Sequence, residues 1–153
     1  MAFELTSTAF QEGESIPQQY TGDGRNVSPP LKWRDPPTGT RSLALICEDP
    51  DAPRGTFTHW VVFNLPAESR ELAEGVPAEA TLPNGTAQGT NDLGKVGYGG
   101  PSPPPGKPHR YFFKLQALDQ PVELPPGATK SQLLAAVKDH VLGEAQLMGT
   151  FAH

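Results

Sequence analysis

A single cysteine, Cys47, is the only thiol in this chain, so no internal disulfide can form and the sequence fits a reducing compartment. Its place in an apolar stretch marks a buried structural thiol rather than a nucleophile. Basic residues are also scarce. Against 17 aspartates and glutamates there are 12 lysines and arginines, a formal net charge of −5. With no basic run to neutralise phosphates, nucleic acid is excluded as a partner. No stretch approaches the roughly 20 apolar residues that span a bilayer. Met1 to Phe10 has neither the basic start nor the apolar centre of a signal peptide. The expectation is a soluble, cytoplasmic protein without integral membrane association. Also absent are a Gly-x-Ser-x-Gly elbow, a phosphate-binding Gly-Lys-Ser/Thr loop, a dinucleotide fingerprint, and the paired cysteines or close histidines of a metal site.

Proline and glycine, by contrast, are abundant at 18 and 16 residues. They punctuate the sequence too often for a helical bundle, and the valine, phenylalanine and threonine runs between them predict a mostly β fold. At 153 residues the chain is long enough for one domain with a sizeable core, and neither an internal repeat nor a linker divides 1–153. An opening strand is expected over Phe3 to Ser7. Leu31 and Trp33 should point inward from a second strand that Pro29 and Pro30 place at a sheet edge or at its approach. One helix is expected near the C-terminus: Thr129 and Gln132 have capping-box spacing, followed by the stripe Leu133, Leu134, Val137 and Val141, with Gly143 as its stop. Ala145, Leu147, Gly149 and Phe151 then alternate as a closing strand.

Three further segments read as strands whose inward rows end in polar groups. Alternate residues give Leu43, Leu45, Cys47, Asp49 and Asp51; then His59, Val61, Phe63 and Leu65; then His109, Tyr111, Phe113 and Leu115. The acids end the first strand, and the histidines begin the other two. If the first strand runs antiparallel to both others, the five polar groups meet at one rim. The long irregular stretch Pro66 to Lys107 is expected to be functional or to hide short strands. Its end, Gly94 to Gly106, is rich in glycine, which lets backbone approach a ligand, and in proline, which stiffens it.

Two imidazoles and the Tyr111 hydroxyl offer three donors to an anion, and the glycine-rich loop can add backbone N–H groups. Asp49 and Asp51 would repel a phosphate unless they accept from imidazole or backbone N–H, raising the histidine pKa values. The plain alternative is that Asp49 to Pro53 is a turn with locally bonded aspartates. Arg110, on the opposite strand face, reads as structural or surface. Asp49, Asp51, His59 and His109 could also ligate a divalent ion, but their spacing does not favour it, and no metal or other cofactor is expected.

The chain resembles the phosphatidylethanolamine-binding protein family, in particular its short bacterial and archaeal Raf kinase inhibitor-like branch. The motifs that carry the resemblance are GDGRNVSPPLKW from Gly22, DPDAPRGTFTHW from Asp49 and GYGGPSPPPGKPHRYFF from Gly97. It implies antiparallel β-sheets with few helices and a metal-free pocket for phosphorylated head groups. Carried over by position, that pocket would use Asp49, Asp51, His59, Gly100, Pro104, His109 and Tyr111. The expected function is non-catalytic binding of a phosphate-bearing small molecule or phosphorylated group, with a regulatory role in view. Two rivals are inhibition of a kinase or serine protease partner through exposed loops, as the resemblance implies, and slow metal-independent hydrolysis. A homodimer through the apolar segment Leu147 to Phe151 is a further expectation.

Overall fold

The structure, a computed structural model, describes residues 2–153. Its elements in chain order are β1 (Glu4–Thr6), a 3-10 turn (Gln18–Tyr20), β2 (Leu31–Arg34), β3 (Ser42–Asp49), β4 (Phe57–Pro66) and β5 (Glu71–Leu72). There follow β6 (Ala87–Thr90), β7 (His109–Leu118), β8 (Gly127–Thr129), α1 (Lys130–Val137) and β9 (Val141–Phe151). The strands form a small antiparallel sheet, β1-β2-β5, and a larger one in the order β8-β6-β4-β3-β7-β9. Only the β6–β8 pair among these is parallel. The mostly antiparallel fold with one α-helix near the C-terminus is therefore as expected, and the stretch 66–107 does hide short strands, β5 and β6. Among the described residues no helix is long and apolar enough to cross a membrane.

Every residue of β3 is buried, and its middle, Leu43 to Cys47, is continuously apolar, as a central strand covered on both faces requires. Leu43, Leu45 and Cys47 enter a core shared with Leu5, Leu31 and Trp33 of the small sheet and with Tyr111, Phe113 and Leu115 of β7. Ala44 and Ile46 enter a second core on the opposite face, closed by Leu133 and Val137 of α1. Leu31 and Trp33 point inward from β2 as predicted, but β2 is the middle strand of its sheet, so Pro29 and Pro30 mark its approach rather than an edge.

Two expectations from simple periodicity fail here. In β4, Trp60, Val62 and Leu65 join the first core while Val61 and Phe63 join the second, so His59, Val61, Phe63 and Leu65 do not form one row. Trp60 pairs with Cys47 and Thr58 with Glu48, which leaves His59 as the extra residue of a β-bulge. A second irregularity lies at Asn64, whose φ is 58° and whose amide exchanges hydrogen bonds with the Val122 backbone at 2.9 and 2.7 Å. The helix carries the predicted capping box but stops at Val137, not at Gly143. Asp139 follows in the left-handed region, with φ 67°, and Val141 already belongs to β9. The Val137-to-Val141 spacing thus imitates a helical step across a turn. Gly143 lies inside the strand, where a Cβ would come within 2.8 Å of Pro37 Cγ.

The outer edge of β9 is covered by the chain's own early segment. Gly13 N donates to the Met148 carbonyl at 2.8 Å, Ile16 N to Thr150 at 2.7 Å, and Thr150 N to Glu14 at 2.9 Å. In the segment from Leu147 that motivated a homodimer, Leu147 is buried in the chain's own core, while Met148, Thr150 and Phe151 stay partly exposed.

Candidate functional site

Because β3 runs antiparallel to both β4 and β7, its C-terminal end meets the N-terminal ends of its two neighbours. Asp49, His59, His109 and Tyr111 therefore converge. With Gly100 and Pro104 they line one cavity of about 420 Å³. Gly22 and Asn26 from an earlier loop, and Ser102 and Pro103 from the later one, complete its wall.

Asp51 is the exception among the predicted residues. The strand ends at Asp49, period-two alternation ends with it, and Asp51 does not line the cavity. Its carboxylate instead accepts from Arg110 N and Nε, both at 2.9 Å, and from Arg110 Nη2 at 2.8 Å. The guanidinium holds that carboxyl down at about 2. Arg110 is thus a surface partner, as its strand face implied.

Asp49 is buried yet fully engaged. One oxygen accepts from Asp51 N at 2.8 Å and the other from His109 Nδ1 at 2.6 Å. The first bond is the local turn contact of the plain reading, and the second is the imidazole contact of the functional one. Both occur together. Tyr111 is also buried, and burial, followed by the charge of Asp49, pushes its phenol well above its ordinary pKa, so it stays a neutral hydroxyl.

His59 sits where the bulge re-aims it onto the cavity side. Its Nδ1 lies 2.6 Å from the Gly99 carbonyl, and Gly99 N returns a hydrogen bond of 2.9 Å to the His59 carbonyl. The ring packs between Phe57, centroids 4.8 Å apart, and Tyr111, which it meets edge-on at 5.3 Å. Burial lowers its pKa, outweighing the Gly99 hydrogen bond and the nearby Asp49 charge that act to raise it. The neighbouring carboxylates thus act on His59 in the expected upward direction, but burial outweighs them and the net shift is downward.

The glycine-rich loop also behaves differently from expectation. Gly100 N is already committed to Asn26 Oδ1 at 2.7 Å, and the prolines at 101 and 103–105 have no N–H. Among the described residues between Gly100 and Pro105 only Ser102, which lines the cavity, keeps an unpaired amide, so this stretch has one backbone N–H left for a ligand rather than several. Gly100 is required by space: a Cβ there would lie 2.5 Å from the Tyr20 carbonyl and 2.6 Å from Asn26 Oδ1. Asn26, at φ 57°, is a site residue that the sequence reading quoted within a motif but did not single out. Its signal is the left-handed tolerance of asparagine. Phe57 was legible by alternation from His59. Leu93, 54% exposed at the mouth, carried no signal of its own. Among the described residues no cluster of three or more histidine, cysteine, aspartate or glutamate side chains is arranged to hold a metal ion.

Comparison with known proteins covers the whole of this architecture. The family described as phosphatidylethanolamine-binding protein matches residues 6–152. A UPF0098 protein of Methanothermobacter thermautotrophicus is 53% identical over 96% of this chain and 97% of its own length. One from Aquifex aeolicus is 47% identical over 97% of this chain and 87% of its own. A Chlamydia trachomatis crystal structure described as a homologue of that family superposes with a TM-score of 0.91 at 41% identity, covering 99% of this chain and 98% of its own. Escherichia coli YBCL, described as a new member of the mammalian family, superposes with a TM-score of 0.93 at 32% identity, covering 100% of this chain and 99% of its own.

Proposed function

Since this chain belongs to the phosphatidylethanolamine-binding protein family, we propose that it is a non-catalytic binding protein for small phosphate-bearing groups, held in the cavity where β3, β4 and β7 meet. A volume near 420 Å³ falls in the range of small-ligand pockets, roughly 300–1,000 Å³. The observation that carries the reading is the buried Asp49–His109 pair. With Nδ1 bonded to the carboxylate at 2.6 Å, the ring keeps Nε2 without a partner among the described residues, and a second proton there makes a charge-assisted donor to an oxyanion. The neutral Tyr111 hydroxyl lines the same cavity beside Asp49. Phe57 and Leu93 give the mouth an apolar lining that suits the organic part of a phosphomonoester or the head group of a lipid.

Catalysis has less support. Neither His59 nor His109 is hydrogen-bonded to a hydroxyl or thiol that it could activate, and nucleophilic catalysis needs such a pair. Titration calorimetry with phenyl phosphate tests the proposal. Binding is expected, unaffected by EDTA and without turnover of the ester. Replacing His109 by Ala removes a charge-assisted bond worth about 1.5–3 kcal/mol, weakening binding roughly tenfold or more. No binding, or the same affinity in His109→Ala, overturns it.

A further inference from the structure

A carbonyl oxygen can only accept, so the contact between His59 and Gly99 places a proton on Nδ1 of the imidazole. In the neutral ring the other nitrogen, Nε2, is then a bare lone pair. Among the described residues it has no hydrogen-bond partner, and the ring lines the cavity. The groups that face this ring from neighbouring elements are Asp49 of β3, His109 and Tyr111 of β7, and Asp92 from the segment after β6. Asp92 is occupied by Thr58 N at 2.7 Å, and Asp49 by His109 and the Asp51 amide. Burial of His59 opposes a second proton on its ring. The loop opposite offers Ser102 as its one free amide between Gly100 and Pro105. With both carboxylates engaged, the acceptor left open on the His59 side is Nε2 of the imidazole itself.

We propose that His59 makes this pocket selective for a protonated oxyanion: Nε2 accepts a hydrogen bond from an acidic P–O–H, so a phosphomonoester is held as its monoanion and a sulfate ester of the same shape is refused. The inference rests on the phosphate-pocket reading and specifies which form of the ligand that pocket takes. Phosphate monoesters lose their second proton near pH 6, whereas a sulfate ester has none to give at any such pH. Presented with sulfate, the His59 lone pair and the Asp49 charge would face only acceptor oxygens. That leaves lone pairs opposed in a partly desolvated site, the arrangement by which a polar pocket rejects an analogue lacking the required hydrogen.

A pH profile alone does not separate this from a charged His59 binding a phosphate dianion, because the two contain the same number of protons. The decisive comparison is phenyl phosphate against phenyl sulfate near pH 6, with nitrogen NMR of histidine-labelled protein in the complex. The expected result is sulfate binding weaker by roughly tenfold or more, with His59 neutral and its proton on Nδ1. His59→Ala deletes the Nε2 acceptor and puts no other acceptor in its place, and should bring the two affinities together. Equal binding of both esters by the unaltered protein, or an imidazolium signal from His59, overturns the inference and leaves the pocket reading intact. Failure of both esters to bind removes the pocket reading and this inference with it.

Discussion

Asp51 and Asp49 stand two residues apart and do different work, and the difference is measurable by pH. Asp51 is held by Arg110 on the surface, where the two side chains are 29% and 51% exposed. Solvent screening keeps such an exposed pair weak. Its carboxyl is depressed to about 2 from an unfolded value near 3.9. The contribution is therefore complete above about pH 4 and disappears as pH falls toward 2. Arg110→Ala should lower the denaturation midpoint slightly at neutral pH, and the gap from the parent should close by about pH 2. A gap that persists there would show that Arg110 acts through packing on Phe112, over which its guanidinium lies at 5.5 Å. The sequence could not separate the two aspartates, because alternation was carried past the end of β3 into a turn where side-chain direction follows local hydrogen bonds. Asp49, His59, His109 and Tyr111 were legible together because they are strand-end residues and only the antiparallel order had to be assumed.

At the scale of elements, regular strands were readable and irregular ones were not. β7 keeps its period from His109 to Leu115, and β9 from Ala145 to Leu147, so their inward rows match the sequence pattern. β4 contains a bulge at His59 and a left-handed Asn64, and neither has a signature strong enough to shift a count of two. His59 was placed on the cavity side by a pattern that the next two inward positions disobey. The helix start was legible for a chemical reason: Thr129 and Gln132 satisfy each other's backbone N–H groups. Removing that cap with Thr129→Ala should cost about 1 kcal/mol. Since α1 packs on the second core, on the sheet face away from the cavity, affinity for phenyl phosphate should be unchanged in calorimetry. A parallel loss of affinity would mean that the helix supports the site through β3.

For the whole molecule, β3 is the common wall of both cores, and Cys47 lies near its centre. Burial, followed by the charges of Glu48 and Asp49, pushes the Cys47 thiol well above its ordinary pKa, so the native protein holds no reactive thiolate there. A disulfide reagent should leave the folded chain unmodified and label it at the rate of global opening. Labelling that is fast under native conditions and insensitive to denaturant would contradict the central position of β3.

The cover that residues 13–16 lay over β9 joins segments far apart in the order of synthesis. The backbone partners of Gly13, Glu14 and Ile16 are Met148 and Thr150, made when nearly all the intervening chain already exists. The loop through Tyr20 and Asn26, which presses on Gly100, continues directly from that segment. During translation the central strands can pair while this early stretch waits without a partner. The bonds that hold this early segment on β9 are thus among the longest-range in the fold, the kind whose loop-closure entropy must be met before the contact is gained.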